Sequence, residues 1–299
     1  MGYLEAIIIL SGINIIAVIG VSILTGYTGL FTIGHAGFMA LGGYMSAIMV
    51  KEFHLPIVLA LIVGGAFAGL CSFIIGYPSF RSQLRGDYFA IATLGFSEAI
   101  RLVLNNTKTI GPLNIGGAFG YMNIPMATTV PVVLITLVVC LIFAHMFVSS
   151  QFGKNCIAVS QDETAAQMMG VNLLRTKLTA LFISAFYAGV AGGLMAFYFA
   201  YLSPSFFTIT QSSNLLAAVV FGGIQSLIGP VITAFVLIAI PQLLLVFNEW
   251  RLIIYGFLFV IIMIFRPQGL LGYVEMNMNF ARLLWNKIMR RKQAGTVEG

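Results

Sequence analysis

Apolar residues along this chain come in long runs rather than in alternation. The runs cover about residues 7–24, 36–50, 55–75, 88–104, 129–149, 178–202, 214–228, 230–247 and 252–265. About 20 apolar residues are needed for a helix to cross a bilayer. Most runs meet that length, and 36–50 and 214–228 fall short of it. Membrane-crossing strands alternate apolar and polar positions, and these runs do not, so each is read as a helix. The pattern predicts an all-α polytopic membrane protein with about 8–9 transmembrane helices, some broken or re-entrant at glycine-rich segments.

Composition agrees. Of the 299 residues 60% are apolar and only 8% charged, against about 25% charged in a soluble domain. Such a chain has too little polar surface to face water, and its net charge of +6 does not make it a nucleic-acid binder. Cys71, Cys140 and Cys156 stand singly, without the paired spacing of a metal or disulfide site. Residues 1–6 hold no Lys or Arg, so the first run reads as a span and not as a signal peptide.

The basic residues orient the spans. Arg81 and Arg85 fall in one loop, Lys154, Arg175 and Lys177 in another, and Arg266, Arg282, Lys287, Arg290, Arg291 and Lys292 in the C-terminal part. Together they are 11 of the 15 Lys and Arg residues, and by the positive-inside rule they mark the cytoplasmic side. The side of the N-terminus turns on whether residues 25–50 cross the bilayer or turn back. Residues 1–272 are read as a transmembrane domain. Residues 273–299 are read as a basic cytoplasmic tail, with Phe280, Leu283, Leu284 and Ile288 at the spacing of an interfacial amphipathic helix.

Two stretches depart from plain transmembrane helix. Residues 26–43 hold six glycines: Gly26, Gly29, Gly34, Gly37, Gly42 and Gly43, with Thr28 and His35 among them. Residues 215–230 carry Gly222, Gly223, Gly229 and Pro230. Each glycine weakens a helix by about 1 kcal/mol relative to Ala and lets backbones approach closely. Non-helical backbone at membrane depth persists only when buried in protein or lining a wet cavity. Both stretches are therefore candidates to line or gate a pathway, with close helix packing as the plainer reading. Paired interrupted segments in two halves also point to an internal repeat around a transport site.

Few charges lie inside the spans. Glu98 and Arg101, at i and i+3, share a helix face and form a candidate intramembrane ion pair. Asp87 reads as the N-cap of that helix beside Arg85. His35 has no second His, Asp or Glu at a useful spacing and reads as a polar residue facing glycine-rich backbone.

The loop 150–177 is long for a link between spans. Within it Ser160 reads as the cap of a helix of two to three turns, with Asp162 and Glu163 in its first turn and Gly170 and Asn172 ending it. A lone helix so short is marginal in water, so it must dock on something. Its Met residues suit adaptable docking.

At this loop the chain resembles a known pattern. Glu163-Thr-Ala165-Ala166-Gln-Met-Met-Gly170 is similar to the glutamate–alanine–alanine–x3–glycine signature of bacterial ABC importer permeases. With Phe152-Gly153-Lys154 before it and Arg175-Thr-Lys177 after it, the segment resembles the Liv-type branched-chain amino-acid permeases, nearer their LivM-like than their LivH-like branch. Gly26-Tyr-Thr-Gly29 with Gly34-His-Ala-Gly37, Leu84-Arg-Gly-Asp-Tyr-Phe-Ala90 with Ala92-Thr-Leu-Gly-Phe96, Phe221-Gly222-Gly223 with Gly229-Pro230, and Phe265-Arg-Pro-Gln-Gly-Leu-Leu-Gly272 resemble the same family, in order along the chain. One departure stands out. The family's Gly-Gly-Pro-Asn-Gly-like external turn here reads Ile110-Gly-Pro-Leu-Asn-Ile-Gly-Gly117, which puts substrate choice in question.

The resemblance implies a permease subunit in the bacterial inner membrane, paired with a second homologous permease. It further implies two cytoplasmic ATP-binding subunits, an extracytoplasmic solute-binding protein that selects the solute, and surrounding lipid. Asp162, Glu163, Ala165, Ala166 and Gly170 would form a coupling helix for the ATPases. ATP and Mg would be held by those partners; this chain has no GxxxxGK[ST] loop of its own, no metal site and no catalytic residue. Two other classes compete. An ion-coupled secondary transporter of small polar solutes needs midplane carboxylates, and Glu98 alone is available. An intramembrane protease is suggested by Gly26-Tyr-Thr28-Gly29, which is similar to the Gly-x-Ser-Gly of rhomboids, with His35 nearby.

Overall fold

The structure is a computed structural model that describes residues 2–243 except Arg85, Gly111 and Pro112. The last apolar run, the 265–272 motif and the tail 273–299 lie outside the described residues. The described chain is helical apart from one two-residue ladder. Helices α1 (Tyr3–Val21), α2 (His35–Lys51), α3 (Ile57–Arg81), α4 (Asp87–Asn106) and α5 (Val130–Ser149) are followed by the short α6 (Gln151–Gln161) and α7 (Glu163–Met168). Then come α8 (Leu173–Phe199), α9 (Ile209–Gly222) and α10 (Ile228–Leu243). Strands β1 (Thr109–Ile110) and β2 (Leu113–Asn114) pair antiparallel in the loop after α4.

Four helical segments among the described residues are long and apolar enough to cross a membrane: Tyr3–Tyr27, Ile57–Arg81, Val130–Ser149 and Leu173–Phe199. They do not play equal parts. The apolar window of the first is 83% buried and that of α8 78%, whereas that of α5 is 17% buried. A helix that is apolar all round and buried belongs to the core of a bundle. So α1 and α8 form the centre, and α5 lies at the periphery, held by the Tyr187 hydroxyl donating to the Cys140 carbonyl (2.9 Å).

Glycine brings the central helices together. A Cβ on Gly42 of α2 would overlap the backbone of Gly189 in α8, and one on Gly192 would overlap the Met39 carbonyl. On the third side, a Cβ on Gly189 would lie 2.9 Å from the Gly65 Cα of α3. Between helices in lipid the hydrophobic effect contributes little, so close backbone approach through small residues supplies the association. Gly42 and Gly43 thus sit inside a regular helix, and the non-helical backbone expected over 26–43 is confined to residues 29–34.

The two short runs are both short helices, and they run in opposite senses. At the start of α2, His35 meets Ser184, the twelfth of 27 residues of α8. Its other end, Lys51, donates to the Met122 carbonyl (3.0 Å) beside Tyr121, which pairs with Leu202 beyond the end of α8. Helix α9 starts next to the start of α2, where Ser212 accepts from the Ala36 amide (2.9 Å). It ends at Gly222, near the far end of the first span. Residues 29–51 therefore cross the bundle, first as six non-helical residues and then as the 17 residues of α2, and do not turn back.

The end that carries the basic loops is common to both. Phe80 and Arg81 of α3 face Glu163, Gln167 and Lys177 across one cleft. At the opposite end Tyr121 donates to Glu52 (3.1 Å) and lies under Lys51 (4.3 Å to the ring centre). Burial and the Glu52 carboxylate both push the Tyr121 phenol up, so it stays a donor at any physiological pH.

Several local expectations are corrected. Asp87 does not cap α4. Gly86 occupies that position at φ +53°, and Asp87 is the first helical residue, where its charge still favours the dipole. Pro230 does not break a span; it lies in the first turn of α10, where no backbone N–H is required.

Adding volume at the central crossing tests this packing. Gly42→Val is expected to lower the melting temperature of the detergent-solubilised protein sharply, as overpacking of about 1–3 kcal/mol or more predicts. Gly95→Ala, where a Cβ meets nothing within 4 Å, is expected to leave it unchanged or raised. Equal tolerance of both in a thermal-shift series would contradict the crossing.

Candidate functional site

The first break begins where α1 loosens into a π-helical turn, Ser22–Tyr27. Such turns are uncommon inside helices and concentrate at functional sites. The Thr25 hydroxyl donates to the Leu30 carbonyl (3.1 Å) and the Thr28 hydroxyl to Ile23 (3.1 Å), so the freed backbone is satisfied locally. Gly29 then takes φ +74°, a conformation that glycine adopts without a Cβ penalty. Residues 32–34 lie along α4: Thr32 donates to the Thr93 hydroxyl (3.2 Å), which donates to the Ala90 carbonyl (2.9 Å). A Cβ on Gly34 would press into the Thr93 backbone, and one on Gly37 into Ser97.

His35 closes the break. Its Nε2 is 2.6 Å from the Ser184 hydroxyl, and that hydroxyl donates to the Gly20 carbonyl (2.7 Å). A serine has one proton to donate. Both bonds hold together only if His35 carries its proton on Nε2 and donates it to Ser184. His35 is 1% exposed, and Thr28 bonds Ile23 rather than the imidazole. Thr28 and His35 therefore form no nucleophile–base pair.

The two interrupted stretches touch. The Ser22 hydroxyl donates to the Ser226 carbonyl (3.2 Å), and Gly26 lies against the Gln225 backbone. Gln225 and Ser226 belong to the turn between α9 and α10, where Gly223 has φ +110° and Gly222 packs on Gly229 and Pro230.

The loop between α5 and α8 meets the same place. The Cys156 thiol of α6 lies beside Thr28, and Ser160 packs on Gly29. Burial pushes the Cys156 thiol up. This helix was not expected from the sequence. Ser160 lies inside it, its hydroxyl turned back to Ile157 (2.8 Å). The cap of α7 is Asp162, whose carboxylate accepts from the Thr164 (2.7 Å) and Ala165 (3.0 Å) amides.

The expected two- to three-turn helix is thus a pair, and α7 has only six residues. It ends in a Schellman turn, with Val171 bonded to the Ala166 carbonyl and Gly170 to Gln167, Gly170 at φ +85°. Asn172 does not end it and instead caps α8 through the Arg175 amide (3.0 Å). Ala166 is buried, Ala165 is exposed, and Met168 and Met169 project into solvent, 84% and 85% exposed.

Glu163 joins α7 to α8 through an ion pair with Lys177 (2.8 Å), whose side chain is 6% exposed. The Lys177 ammonium also faces the Phe80 ring of α3 at 6.0 Å. Neither partner was matched to the other from the sequence, because residues 14 apart meet only once α7 folds back. The Glu98–Arg101 pair forms as expected (2.6 Å), half-buried on α4 and away from the junction. No cluster of metal-ligating side chains occurs among the described residues.

At the central crossing, close packing of the 26–43 glycines was the plainer reading from the sequence, but the partner face on α3 and α8 was missed. Its signal was the small-xxx-small spacing Gly189–Gly193 in α8 and Gly65–Gly69 in α3.

Replacing Ser184 by Ala removes the donor to Gly20 and the acceptor for His35. A buried group left unpaired costs about 1–3 kcal/mol. Ser184→Ala is expected to destabilise the protein by that amount in a denaturation series, and His35→Leu combined with it to lose less than the sum of the two.

The family model described as branched-chain amino acid transport system / permease component matches residues 3–263. The high-affinity branched-chain amino acid transport system permease protein LivM of Escherichia coli is 35% identical over 292 residues, covering 88% of this chain and 68% of that protein. The probable branched-chain amino acid transport permease protein LivH of Methanocaldococcus jannaschii is 25% identical over 251 residues, 78% of each chain. The xylose transport system permease protein XylH of Escherichia coli is 25% identical over 200 residues, 64% of this chain and 48% of that one. No solved structure matches significantly.

Proposed function

The chain belongs to the branched-chain amino acid transport system permease family, and from that premise we propose that it is one of two permease chains of an ATP-driven importer for branched-chain or related amino acids in a bacterial inner membrane. A permease of this family is a transport component, not a catalyst. The observation that carries the finer reading is the junction: the loop with the family signature rests directly on the first chain break, which touches the second.

In this reading α7 seats in a groove on a cytoplasmic ATPase subunit, with Met168 and Met169 as its adaptable contacts. The Glu163–Lys177 pair ties α7 to the first turns of α8. Helix α6 bears on Thr28 and Gly29. Closure of two ATPases would shift α6 and α7 together and re-pack residues 28–34, and the Ser22–Ser226 bond carries the shift to the 223–227 turn. Gly26, Thr28, Gly29, Gly34, His35 and Gly37, with Gly222, Gly223, Gly229 and Pro230, are the hinge and gate of that change. The protein then alternates between two packings whose populations ATP biases. Gly42 and Gly43 serve as packing residues.

The opposed half-helices α2 and α9 support an internal inverted repeat, α1–α2 matching α8–α9. The full span count of 8–9 includes the 252–265 run. A second permease, two ATPases and an external binding protein complete the importer, and ATP and Mg belong to the ATPases. An ion-coupled carrier finds less support, because Glu98 is already paired with Arg101.

Tagged purification in mild detergent is expected to bring down a second permease and two ATPase chains; a stable homo-oligomer alone would defeat the proposal. In the reconstituted importer, Gly170→Val forces a β-branched residue to φ +85°. It is expected to leave ATP hydrolysis running while uptake falls about tenfold or more, as a loss of about 1.4 kcal/mol of coupling gives. Lys177→Met should reduce uptake in the same sense, and Glu163→Gln added to it should restore part of the lost stability, since the isolated buried charge is what destabilises. Full uptake in Gly170→Val would remove α7 from the coupling path.

A further inference from the structure

A cleft of about 110 Å³ opens between α1, α9 and α10, lined on one side by Asn14, Gln211 and Asn214 and on the other by aliphatic residues of α10. It lies about halfway along the first span and in the first half of α9. Asn14 donates to the Leu10 carbonyl (2.9 Å), and the Gln211 amide donates to the Asn14 oxygen (2.8 Å). Asn214 is exposed, and its side chain makes no hydrogen bond with any described residue. Thr210 and Ser213, its neighbours on the same outer side of α9, are exposed too. The opposite side of α9, Ser212, Leu215 and Val219, is buried.

An exposed, unpaired amide such as Asn214 cannot face lipid at this depth. An amide moved from water into hydrocarbon without a partner costs several kcal/mol, and lipid offers no partner. The outer side of α9 must therefore meet water or polar groups. Below Asn214 the same helix turns apolar, through Ala217, Val220 and Phe221. The polar patch is thus confined to mid-depth, whereas a helix that merely lined an open water channel would be polar along its length. None of the residues lining the cleft is charged. Side-chain amides both accept and donate, so they bind an ammonium through oxygen and a carboxylate through nitrogen. With no net charge, they do so without the tight hold that a formal ion pair would impose on a solute in transit.

We propose that Asn14, Gln211 and Asn214 form a mid-membrane contact for the zwitterionic head of the translocated amino acid, with the apolar wall of α10 accepting its side chain. This deepens the importer reading and rests on it. It places solute contact on the α1–α9 side of the bundle, away from the α6–α7 junction that would drive the gate.

The test uses the whole importer, reconstituted in vesicles, with Cys71, Cys140 and Cys156 replaced by serine. Asn214→Cys is labelled with a membrane-impermeant methanethiosulfonate, with and without L-leucine delivered by the binding protein, and with D-xylose as the comparison solute. The expected result is labelling that leucine slows about threefold at about two-thirds occupancy and that xylose leaves unchanged. Asn14→Leu and Asn214→Ala are expected to raise the KM for uptake about fivefold, the loss of one hydrogen bond of about 1 kcal/mol, in an importer that still assembles with its partner chains. A cysteine at 214 that stays unlabelled while uptake proceeds, or that xylose protects and leucine does not, overturns the proposal and leaves the importer reading intact. Absence of ATP-driven uptake by the unmodified assembly removes both.

Discussion

The rest of this structure depends on backbone meeting backbone where α2, α3 and α8 cross. Residues 42, 65, 189 and 192 have no side chain, so three helices approach closer than any Cβ allows. In lipid this is one of the few ways to hold helices together, because apolar side chains gain little by leaving one hydrocarbon for another. The crossing fixes α2 against the middle of α8. Only in that position does His35 reach Ser184, and only then is the non-helical stretch before it enclosed by protein.

Enclosure is what permits the break. Residues 29–34 have no helical hydrogen bonds to protect their amides and carbonyls, and lipid supplies none. Thr25, Thr28, Thr32 and Thr93 take over this role, with short hydroxyl bonds to local carbonyls and to one another. The segment is therefore satisfied but not locked into a helix. It has neighbours on two sides that are themselves short: α6, and the turn after α9. A region held by a few side-chain bonds between rigid, tightly packed helices is suited to having two discrete arrangements, since the packed core around it does not deform continuously.

The short helix α7 shows how little local propensity contributes here. Six residues do not hold a helix in water. Asp162 caps one end, Gly170 turns the chain at the other, and Ala166 packs inward. The Glu163–Lys177 pair then joins it to α8 in a partly buried position where screening is weak. The same contacts leave Met168 and Met169 exposed.

Much of this was legible in the sequence. The apolar runs, the two short ones among them, the sidedness of the basic loops, the helix around Glu163–Met168 and the Glu98–Arg101 pair all follow from composition, spacing and periodicity. These are properties of one helix at a time, fixed by the bilayer thickness and by the 3.6-residue turn. Tertiary structure decided the rest. It made Gly42 and Gly43 packing residues while Gly29 stayed a true break, gave the helix cap to Asp162 rather than Ser160, and inserted α6. It brought Ser22 to Ser226, Lys177 to Glu163 and Asn14 to Gln211. Each of these depends on which helix lies beside which, and in an apolar solvent that choice is made by the fit of small residues and the pairing of isolated polar groups across helices, neither of which has a period along the chain.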